Sequence, residues 1–499
     1  MRRPPPTTFA LALALLASPA IAAETYDAPA EAELQIARIK ALDDAGPMLN
    51  AVIVYEPEAA NYANEASEAG MPLDGRTVLV KDNIETMEWP TTAGSLALKD
   101  NLTGRDAPLI ASLRAAGGVV LGKTNLSEWA NIRDNNSTSG WSAVGGLTRN
   151  PHAIDRNACG SSSGSGAAVA AGFAWAAIGT ETDGSITCPA SINGIVGFKP
   201  TVGMVSRTHV VPISSSQDTA GPMASTVFDA ALLLGAIAGS DPLDAATAEA
   251  DARKTDFTQG LAGASLAGKR IGVLRKQVGS RDDIRALFDK AIDDMRRAGA
   301  EIVEIEADEP GELGAAEFTV LLYELRVTMD AYLASLPDKS LPRTLAELVE
   351  FNKVHADEEM RWFGQSLFEM ALQTTDEAAY REARATSLRL AGEDGIDKLL
   401  RDYRVDVLVA PTAGPSWTTD LVLGDHYPGG IGAGSLAAVA GYPHLTVPMG
   451  AVERLPVGLS FMGAKWSDHE ILKLGAAYER ARSTELATPS FGAWSPSDQ

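Results

Sequence analysis

The hydrophobic positions of the chain follow two different periods, which alternate from one end to the other. Segments with apolar residues three and four positions apart are typical of helices, and they occur at 34–42, 107–116 and 282–298. Short continuous apolar runs bounded by Gly, Pro or polar residues are typical of buried strands; they occur at 75–84, 119–121, 173–185, 268–276, 300–308, 406–414 and 444–450. This alternation predicts an α/β fold with a large, twisted, mixed β-sheet covered by helices on both faces.

Residues 310–405 break the alternation. They are rich in Leu, Glu, Arg and Ala and contain few glycines, so we expect a mostly helical insertion. No internal repeat and no Pro/Gly linker divides the chain. The sequence therefore predicts one large domain over residues 23–499 that carries this insertion.

The N-terminus has the pattern of a secretory signal peptide over residues 1–22. Arg2 and Arg3 precede a short apolar run, and Ala20-Ile21-Ala22 fits an A-x-A cleavage site. The run is shorter than the roughly 20 apolar residues that a membrane span needs. We therefore expect export to the periplasm or the medium, cleavage near Ala22-Ala23, and no membrane partner.

Charge and metal-binding residues restrict the function further. A formal net charge of −23 over 499 residues disfavours nucleic acid as a partner. The six histidines form no pair at metal-ligand spacing, so a zinc site has little support. Cys159 and Cys188 could form a disulfide in an oxidising compartment, but small buried free thiols are the preferred expectation.

The stretch NACGSSSGSGAAVAAG at 157–172 is the most unusual part of the sequence. It lacks the lysine of a phosphate loop and the third glycine of a dinucleotide fingerprint, and its apolar second half is not a solvated linker. Ser162 matches the nucleophile elbow G-x-S-x-G, but that motif needs a preceding strand, and the preceding residues are polar. Such a nucleophile also needs a histidine, and no motif identifies His444 or His469 as that residue. A buried helix that begins near Ser162 or Ser163 fits best.

A second Gly- and hydroxyl-rich loop, GTETDGSITCPA, follows an apolar strand at 179–190. Backbone N–H groups around Ser185 could converge on an oxyanion there. Lys81 ends the buried run VLVK, and desolvation could lower its pKa enough for it to act as a base. A lysine after a strand is more often a solvated strand end, and a Gly-Ser pair is more often a turn. The residues alone therefore leave both interpretations open.

The order of motifs resembles the amidase signature family. The resemblance rests on VLVKDNI, GKTNLSEW, GGLTRNP, CGSSSGSGAAVAAG, GTETDGSITCPASINGIVGFKPT, DTAGPM, APT and PVGLSFMG, and it extends over residues 34–485. It implies the amidase signature fold and a Ser–cis-Ser–Lys triad that needs no metal or cofactor.

The resemblance assigns each member of this triad to one position. It implies Ser185 as nucleophile, Lys81 as base and Ser161 as the bridging serine, which would follow a cis bond at Gly160–Ser161. It also implies an oxyanion hole built from the backbone of Thr182, Asp183, Gly184 and Ser185. Substrate-binding positions are expected at Ser139, Gly140, Trp141 and Ser162.

Three positions around the nucleophile depart from the usual family pattern. Glu181, Asp183 and Thr187 stand where most members have Asp, Gly and Arg, so the usual Asp–Arg interaction is in doubt. These residues, with SEWANIR, STSGWSA and SSSQDTAGPM, resemble the peptide amidase branch. Asp218 in the last motif is expected to brace a loop rather than to bind substrate.

The resemblance implies hydrolysis of carboxamides, with the C-terminal amide of peptides as the leading substrate and ammonia as the product. The alternative is a general amidase or esterase for small aliphatic or aryl amides. A transfer-RNA amidotransferase subunit has the same expected fold, but it would be cytoplasmic and part of a complex. We expect a monomer or a homodimer that binds a small amide or an amidated peptide.

Overall fold

A computed structural model describes residues 26–308, 310–427 and 429–496. The expected signal peptide at residues 1–22 lies outside this part of the chain. Within it, eleven strands form one mixed sheet, and two short two-stranded ribbons are separate from that sheet. None of the helices in these residues is long and apolar enough to cross a membrane.

The strands of the described residues are β1 (Val52–Tyr55), β2 (Thr77–Lys81), β3 (Val119–Thr124), β4 (Trp141–Ser142), β5 (Gly146–Leu147), β6 (Arg149–Asn150), β7 (Ala153–Asn157), β8 (Ala176–Glu181), β9 (Val196–Lys199), β10 (Thr219–Ala224), β11 (Arg270–Leu274), β12 (Glu301–Ile305), β13 (Val407–Pro411), β14 (His444–Val452) and β15 (Leu455–Met462). The main sheet has the order β1-β3-β2-β8-β10-β9-β14-β15-β13-β11-β12. Seven of these eleven strands lie in the predicted apolar runs, whereas β1, β9, β10 and β15 were not predicted.

The α-helices are α1 (Ala28–Leu42), α2 (Ala59–Glu68), α3 (Pro108–Ala115), α4 (Ser163–Ala170), α5 (Thr187–Ile192), α6 (Val227–Ile237), α7 (Ala250–Arg253), α8 (Asp282–Arg297), α9 (Leu313–Ser335), α10 (Leu345–Val354), α11 (Ala356–Glu359), α12 (Ser366–Gln373), α13 (Glu377–Leu388), α14 (Asp397–Tyr403), α15 (Gly434–Ala440) and α16 (Asp468–Ala481). Between α13 and α14 the chain forms a π-helical segment, Arg389–Ile396. The first helix begins at Ala28, before the expected 34–42, because Asp27 caps it: its side chain accepts a hydrogen bond from the backbone N–H of Ala30.

Helices cover both faces of the sheet, as the continuous apolar strands predict. Side chains alternate along a strand, so Val78 and Val80 belong to a core with residues of α3, α6, α8 and α16. Leu79 points to the opposite face and packs with residues of α1, α2, α4 and α5. The same alternation separates Val407 from Leu408 at the far end of the sheet.

The parallel pairing of β2 with β8 brings two loops together at one edge of the sheet. Val80 lies opposite Ile178 in this ladder, so both strands end at the same place. Lys81 ends β2, and Glu181 ends β8. The carboxyl ends of parallel strands are a common place for ligand sites in α/β folds.

Helices α9, α10 and α12 form an apolar core of their own, which contacts this same edge. Leu325 and Met329 of α9 and Phe368 of α12 are buried together with Trp129 and Val211 from the loops beside the site. Trp129 and Phe368 meet edge to face at 5.8 Å between ring centroids. The helical segment therefore supports the loops that surround the end of β2.

Candidate active site

Lys81 lies at the end of β2 with no solvent-exposed surface. Its Nζ donates hydrogen bonds to Ser161 Oγ at 2.7 Å and to Thr180 Oγ1 at 2.9 Å. Burial lowers the pKa of Lys81 from 10.5 to about 7, against the opposing effect of the Glu181 and Asp218 carboxylates. The amine is therefore close to half neutral at neutral pH, and a neutral amine can accept a proton.

Ser161 is held between Lys81 and the backbone of a neighbouring loop. It is fully buried, and its carbonyl accepts a hydrogen bond from the N–H of Ser127 at 3.0 Å. The peptide bond between Gly160 and Ser161 is cis, as the family resemblance implied. The chain then enters α4 at Ser163.

The small residues of α4 are required by close packing against the rest of the site. A Cβ on Gly164 would lie 2.3 Å from the carbonyl oxygen of Ala51 and 2.5 Å from that of Asn125. Only glycine fits at this distance, because both neighbouring atoms belong to the backbone. The Gly/Ser stretch is therefore a buried helix start, as the sequence predicted.

Ser185 lies in the loop between β8 and α5, next to the Ser161 loop. Its carbonyl accepts a hydrogen bond from the N–H of Ser162 at 3.1 Å, and the residue is 9% exposed. Its hydroxyl makes no hydrogen bond to another residue in the described ranges. A hydroxyl without a partner at the edge of the site is available for attack on a bound substrate.

The loop before Ser185 presents backbone donors in an open region. Gly184 has a φ of +79°, and no atom lies within 4 Å of the place where its Cβ would be. The N–H groups of Gly184 and Ser185 donate to no acceptor within residues 26–308, 310–427 and 429–496. Free backbone donors on such a loop are suited to binding an oxyanion.

A carboxylate–hydroxyl contact takes the place of the Asp–Arg interaction that the sequence put in doubt. Glu181 Oε2 accepts hydrogen bonds from the N–H of Ile186 at 2.7 Å and the N–H of Thr187 at 2.9 Å. It also accepts one from Thr187 Oγ1 at 3.2 Å. The carboxylate thus caps the start of α5 and fixes the chain on both sides of Ser185.

Asp218 braces a loop, as expected. Its two carboxylate oxygens accept hydrogen bonds from Thr182 Oγ1 at 2.6 Å and from the N–H groups of Ile213 and Ser214 at 2.8 and 2.9 Å. Burial raises the pKa of Asp218. The side chain is therefore committed to holding the loop that contains Thr182.

The residues expected to bind substrate lie on the loop beside Ser161. The N–H of Gly140 donates to Ser127 Oγ at 2.9 Å, and Ser127 in turn bonds Ser161. The N–H of Ser139 donates to both oxygens of Asp425, at 3.1 and 3.2 Å. Trp141 packs edge to face on Phe363. The sequence did not single out Asp425, because it lies 286 residues further along the chain.

Ser162 has a different environment from the one expected. Its hydroxyl donates to the carbonyl of Thr180 at 3.1 Å and accepts from the N–H of Thr180 at 3.2 Å, and the residue is fully buried. This pairing argues against the expected contact of Ser162 with substrate, since its proton is already donated. It also argues against an elbow nucleophile. His444 Nε2 lies 2.6 Å from Ser460 Oγ, and His469 Nε2 lies 2.9 Å from the carbonyl of Gln259, so neither assists Ser162.

The expectation of free thiols is wrong, because Cys159 and Cys188 form a disulfide. Their Cα atoms are 6.1 Å apart although 29 positions separate them in the chain. The residue pattern does not reveal this proximity, which arises because α4 and β8 return the chain to the same edge of the sheet. The bridge packs against Ile192 and Trp417.

A cavity of about 460 Å³ opens beside Thr180, which accepts a hydrogen bond from Lys81. It is lined by Asn83, Thr180 and Thr182 at the ends of β2 and β8, by Val210 and Ile213 from the loop between β9 and β10, and by Tyr332 of α9. Its volume is in the range of small-molecule sites. In the described part of the chain, no group of three His, Cys, Asp or Glu side chains could hold a metal ion.

Comparison with known proteins places this geometry in a family. The family model named Amidase matches residues 33–472. The chain belongs to the amidase family. An Arabidopsis thaliana relative named as a probable amidase is 37% identical over 462 residues, which cover 89% of this chain and 85% of that protein.

Solved structures of amidases are similar over nearly the whole chain. The native peptide amidase of Stenotrophomonas maltophilia is 48% identical, with a TM-score of 0.88 over 93% of this chain and 96% of that one. A peptide amidase in complex with the competitive inhibitor chymostatin is also 48% identical, with a TM-score of 0.89 over 93% of this chain and 96% of that one. The chain is therefore an amidase with the amidase signature fold.

Sequence analysis missed several of the side chains that organise this amidase site. Thr180 accepts a hydrogen bond from Lys81, and Asp425 accepts one from Ser139 in the loop expected to bind substrate. Thr180 could have been found because it belongs to the Gly- and hydroxyl-rich stretch at 179–190. Nothing in the local sequence marks Asp425.

Proposed function

We propose that this amidase hydrolyses the C-terminal carboxamide of peptides with Ser185 as nucleophile, Ser161 as proton relay and Lys81 as base. The observation that carries the proposal is the hydrogen bond of 2.7 Å between Lys81 Nζ and Ser161 Oγ. Lys81 is fully buried there and has a pKa lowered to about 7. An unprotonated amine beside a serine can act as the base that activates an alcohol without a metal.

In the proposed acylation step, Lys81 takes the proton of the Ser161 hydroxyl while Ser161 takes the proton of Ser185. The Ser185 oxygen then attacks the carbonyl carbon of the amide. Negative charge develops on the carbonyl oxygen, and the backbone N–H groups at the loop of Thr182, Asp183, Gly184 and Ser185 stabilise it. Removal of one such donor typically costs about 3–4 kcal/mol of transition-state stabilisation.

Collapse of this intermediate breaks the C–N bond. The proton held by the relay passes back to the leaving nitrogen, so ammonia departs from a primary amide. The peptide acyl group remains as an ester on Ser185. Water, deprotonated by the same relay, attacks this ester, and release of the peptide acid restores the Ser185 hydroxyl.

Two observations favour a peptide amide over a simple amide. The similarity to peptide amidases extends over more than nine tenths of both chains. Glu181 and Thr187, which depart from the usual family pattern, form a direct contact beside the nucleophile. The loop that carries Ser185 is therefore ordered by the same residues that resemble the peptide amidase branch.

We also propose that the protein acts outside the cytoplasm. The leader pattern at residues 1–22 and the Cys159–Cys188 bridge support this location. Disulfides persist in oxidising compartments and are rare in the cytosol of mesophiles. A cytoplasmic subunit of an amidotransferase would have neither feature.

The test is a comparison of substrates with the purified mature protein. Release of the leaving amine is measured: ammonia from short amidated peptides and from simple aromatic primary amides, and methylamine from the same peptides as methyl amides. We expect the highest kcat/KM for the primary amides of peptides and no cleavage of internal peptide bonds by mass spectrometry. Turnover of aromatic amides with none of the peptide amides would instead support a general amidase.

A further inference from the structure

The Cys159–Cys188 disulfide joins the two loops that carry the proposed reacting serines. Cys159 precedes Ser161 by two residues, and Cys188 follows Ser185 by three. Cys188 lies in the first turn of α5, where its N–H donates to the carbonyl of Gly184 at 2.8 Å. The bridge therefore joins the two segments covalently close to the point where the N–H of Ser162 meets the carbonyl of Ser185.

The same two loops are also joined by hydrogen bonds. The N–H of Ser162 donates to the carbonyl of Ser185 at 3.1 Å, and Asn193 Nδ2 donates to the carbonyl of Ala158 at 2.9 Å. Hydrogen bonds of this kind open locally far more easily than a covalent bridge does. Without the bridge, the loops would keep their fold but gain freedom relative to each other.

The bridge also supports the wall of the proposed substrate site. Trp417 packs against the two cysteines. Its Nε1 donates to Asp425 Oδ1 at 3.3 Å, and Asp425 accepts the N–H of Ser139. A chain of contacts thus runs from the disulfide to the loop expected to bind substrate.

We propose that this disulfide is a positioning device for Ser161 and Ser185, so that the protein is an active amidase only in its oxidised form. The inference rests on the proposed function of the two serines. Productive attack requires the reacting atoms within a few tenths of an ångström of their places. A dithiol form, such as the chain has before export, would be folded and nearly inactive.

The redox chemistry is that of an ordinary thiol–disulfide exchange. In oxidation, the two thiols lose two protons and two electrons to a disulfide oxidant such as oxidised glutathione, which is reduced to two thiols. In reduction, a dithiol such as dithiothreitol gives up the same two electrons and becomes a cyclic disulfide. Cys188 is only partly buried, whereas Cys159 is 6% exposed, so we expect the first thiolate attack at the Cys188 sulfur.

Reduction of the wild-type protein tests the inference, since the chain has only these two cysteines. The folded protein is incubated with dithiothreitol without oxygen until two thiols per chain are titrated. We expect kcat for an amidated peptide to fall at least tenfold and labelling of Ser185 by a fluorophosphonate to slow in parallel, with an unchanged far-ultraviolet circular dichroism spectrum. Oxidised glutathione should restore both rates.

Two outcomes overturn the inference. One is a kcat within twofold of the untreated value when both thiols are free, even if Tm has dropped, because the bridge would then only stabilise the fold. The other is general unfolding on reduction. Oxidised wild-type protein that neither hydrolyses peptide amides nor labels at Ser185 would instead refute the proposed function.

A double variant, Cys159→Ser with Cys188→Ser, supplies the matched control. We expect it to show the low kcat of the reduced protein and no response to dithiothreitol. A kcat equal to that of the oxidised wild type would contradict the inference. If this variant does not fold, the titration of the wild type still decides.

Discussion

Lys81 Nζ lies 2.7 Å from Ser161 Oγ, and neither residue has exposed surface. A lysine in such a place has lost most of its hydration, and burial is the largest cause of its lowered pKa. The ammonium form is disfavoured, while the hydroxyls of Ser161 and Thr180 satisfy the amine. The arrangement costs stability and leaves the amine able to accept a proton, a combination typical of functional sites.

Replacing Lys81 should lower the activity of the protein without lowering its stability. We expect Lys81→Met to reduce kcat/KM at least 10³-fold, since a general base contributes about 10²–10⁴ and the relay acts as a unit. Its Tm should not fall below that of the wild type, because the change removes a buried ionisable group. Ammonia release and calorimetry measure the two effects. A variant that keeps even a tenth of the wild-type rate would exclude Lys81 as the base.

The three serines of the site should respond differently to a serine-directed probe. We expect a fluorophosphonate to label Ser185 in the wild type and to label nothing in Ser185→Ala, as peptide mapping by mass spectrometry would show. Ser161→Ala should slow labelling sharply, because the relay is cut. Ser162→Ala is the matched control: it should still label, with a stability loss of about 1–3 kcal/mol from the unpaired Thr180 backbone. A label on Ser162 would revive the elbow interpretation.

The dependence of kcat/KM on pH should follow the titration of Lys81. The base must be neutral, so kcat/KM should be constant well above pH 7 and fall about tenfold per unit below the pKa of about 7. The free energy of unfolding should also fall as the pH falls. Between pH 10.5 and 7, Lys81 binds a proton in the unfolded chain that it lacks in the folded protein. This residue therefore destabilises the fold increasingly as the pH falls through that window. A flat profile from pH 5 to 9 would contradict the assignment.

The negative charge of Glu181 should shift the pH profile of kcat/KM. Its carboxylate raises the pKa of Lys81, against the larger effect of burial. Glu181→Gln can still accept hydrogen bonds from α5 but lacks the charge, so we expect the acid limb of kcat/KM to move to lower pH. The exposed Glu350→Gln, on α10, is the control and should leave the profile unchanged. A shift to higher pH in Glu181→Gln would refute this electrostatic coupling.

Asp425 should act on substrate binding rather than on chemistry. It holds the N–H of Ser139 and accepts from Trp417 and Asn157. We expect Asp425→Ala to raise KM for amidated peptides about tenfold with a smaller change in kcat, because the loop loses its anchor. Asp420→Ala, in the same segment, should leave KM within twofold. A rise in KM with an equally large fall in kcat, seen in both variants, would indicate a general disturbance of the segment.

Local pattern was enough to predict much of the fold. The apolar runs became strands because they are long enough to cross a buried sheet and lack the spacing of a helix. The run that ends at Lys81 and the small residues after Ser162 both lie where the pattern predicted them. Motif order supplied the family.

The site was less predictable because its contacts join distant parts of the chain. The disulfide was predicted wrongly, since free and bonded cysteines look alike in a linear pattern. Ser162 was expected near substrate, yet it faces Thr180, because the helix start turns its hydroxyl toward β8. Asp425 carries no motif and reaches Ser139 only through folding.

The sequence by itself determined the element types, the buried strand before Lys81 and the reactive residue types, because these depend on neighbours within a few positions. Tertiary structure alone decided that Lys81 is dehydrated, that Ser161 faces it and that Cys159 meets Cys188. These properties depend on which strands lie side by side. Parallel pairing of β2 with β8 places residues about a hundred positions apart within hydrogen-bonding distance, and the surrounding core removes the water.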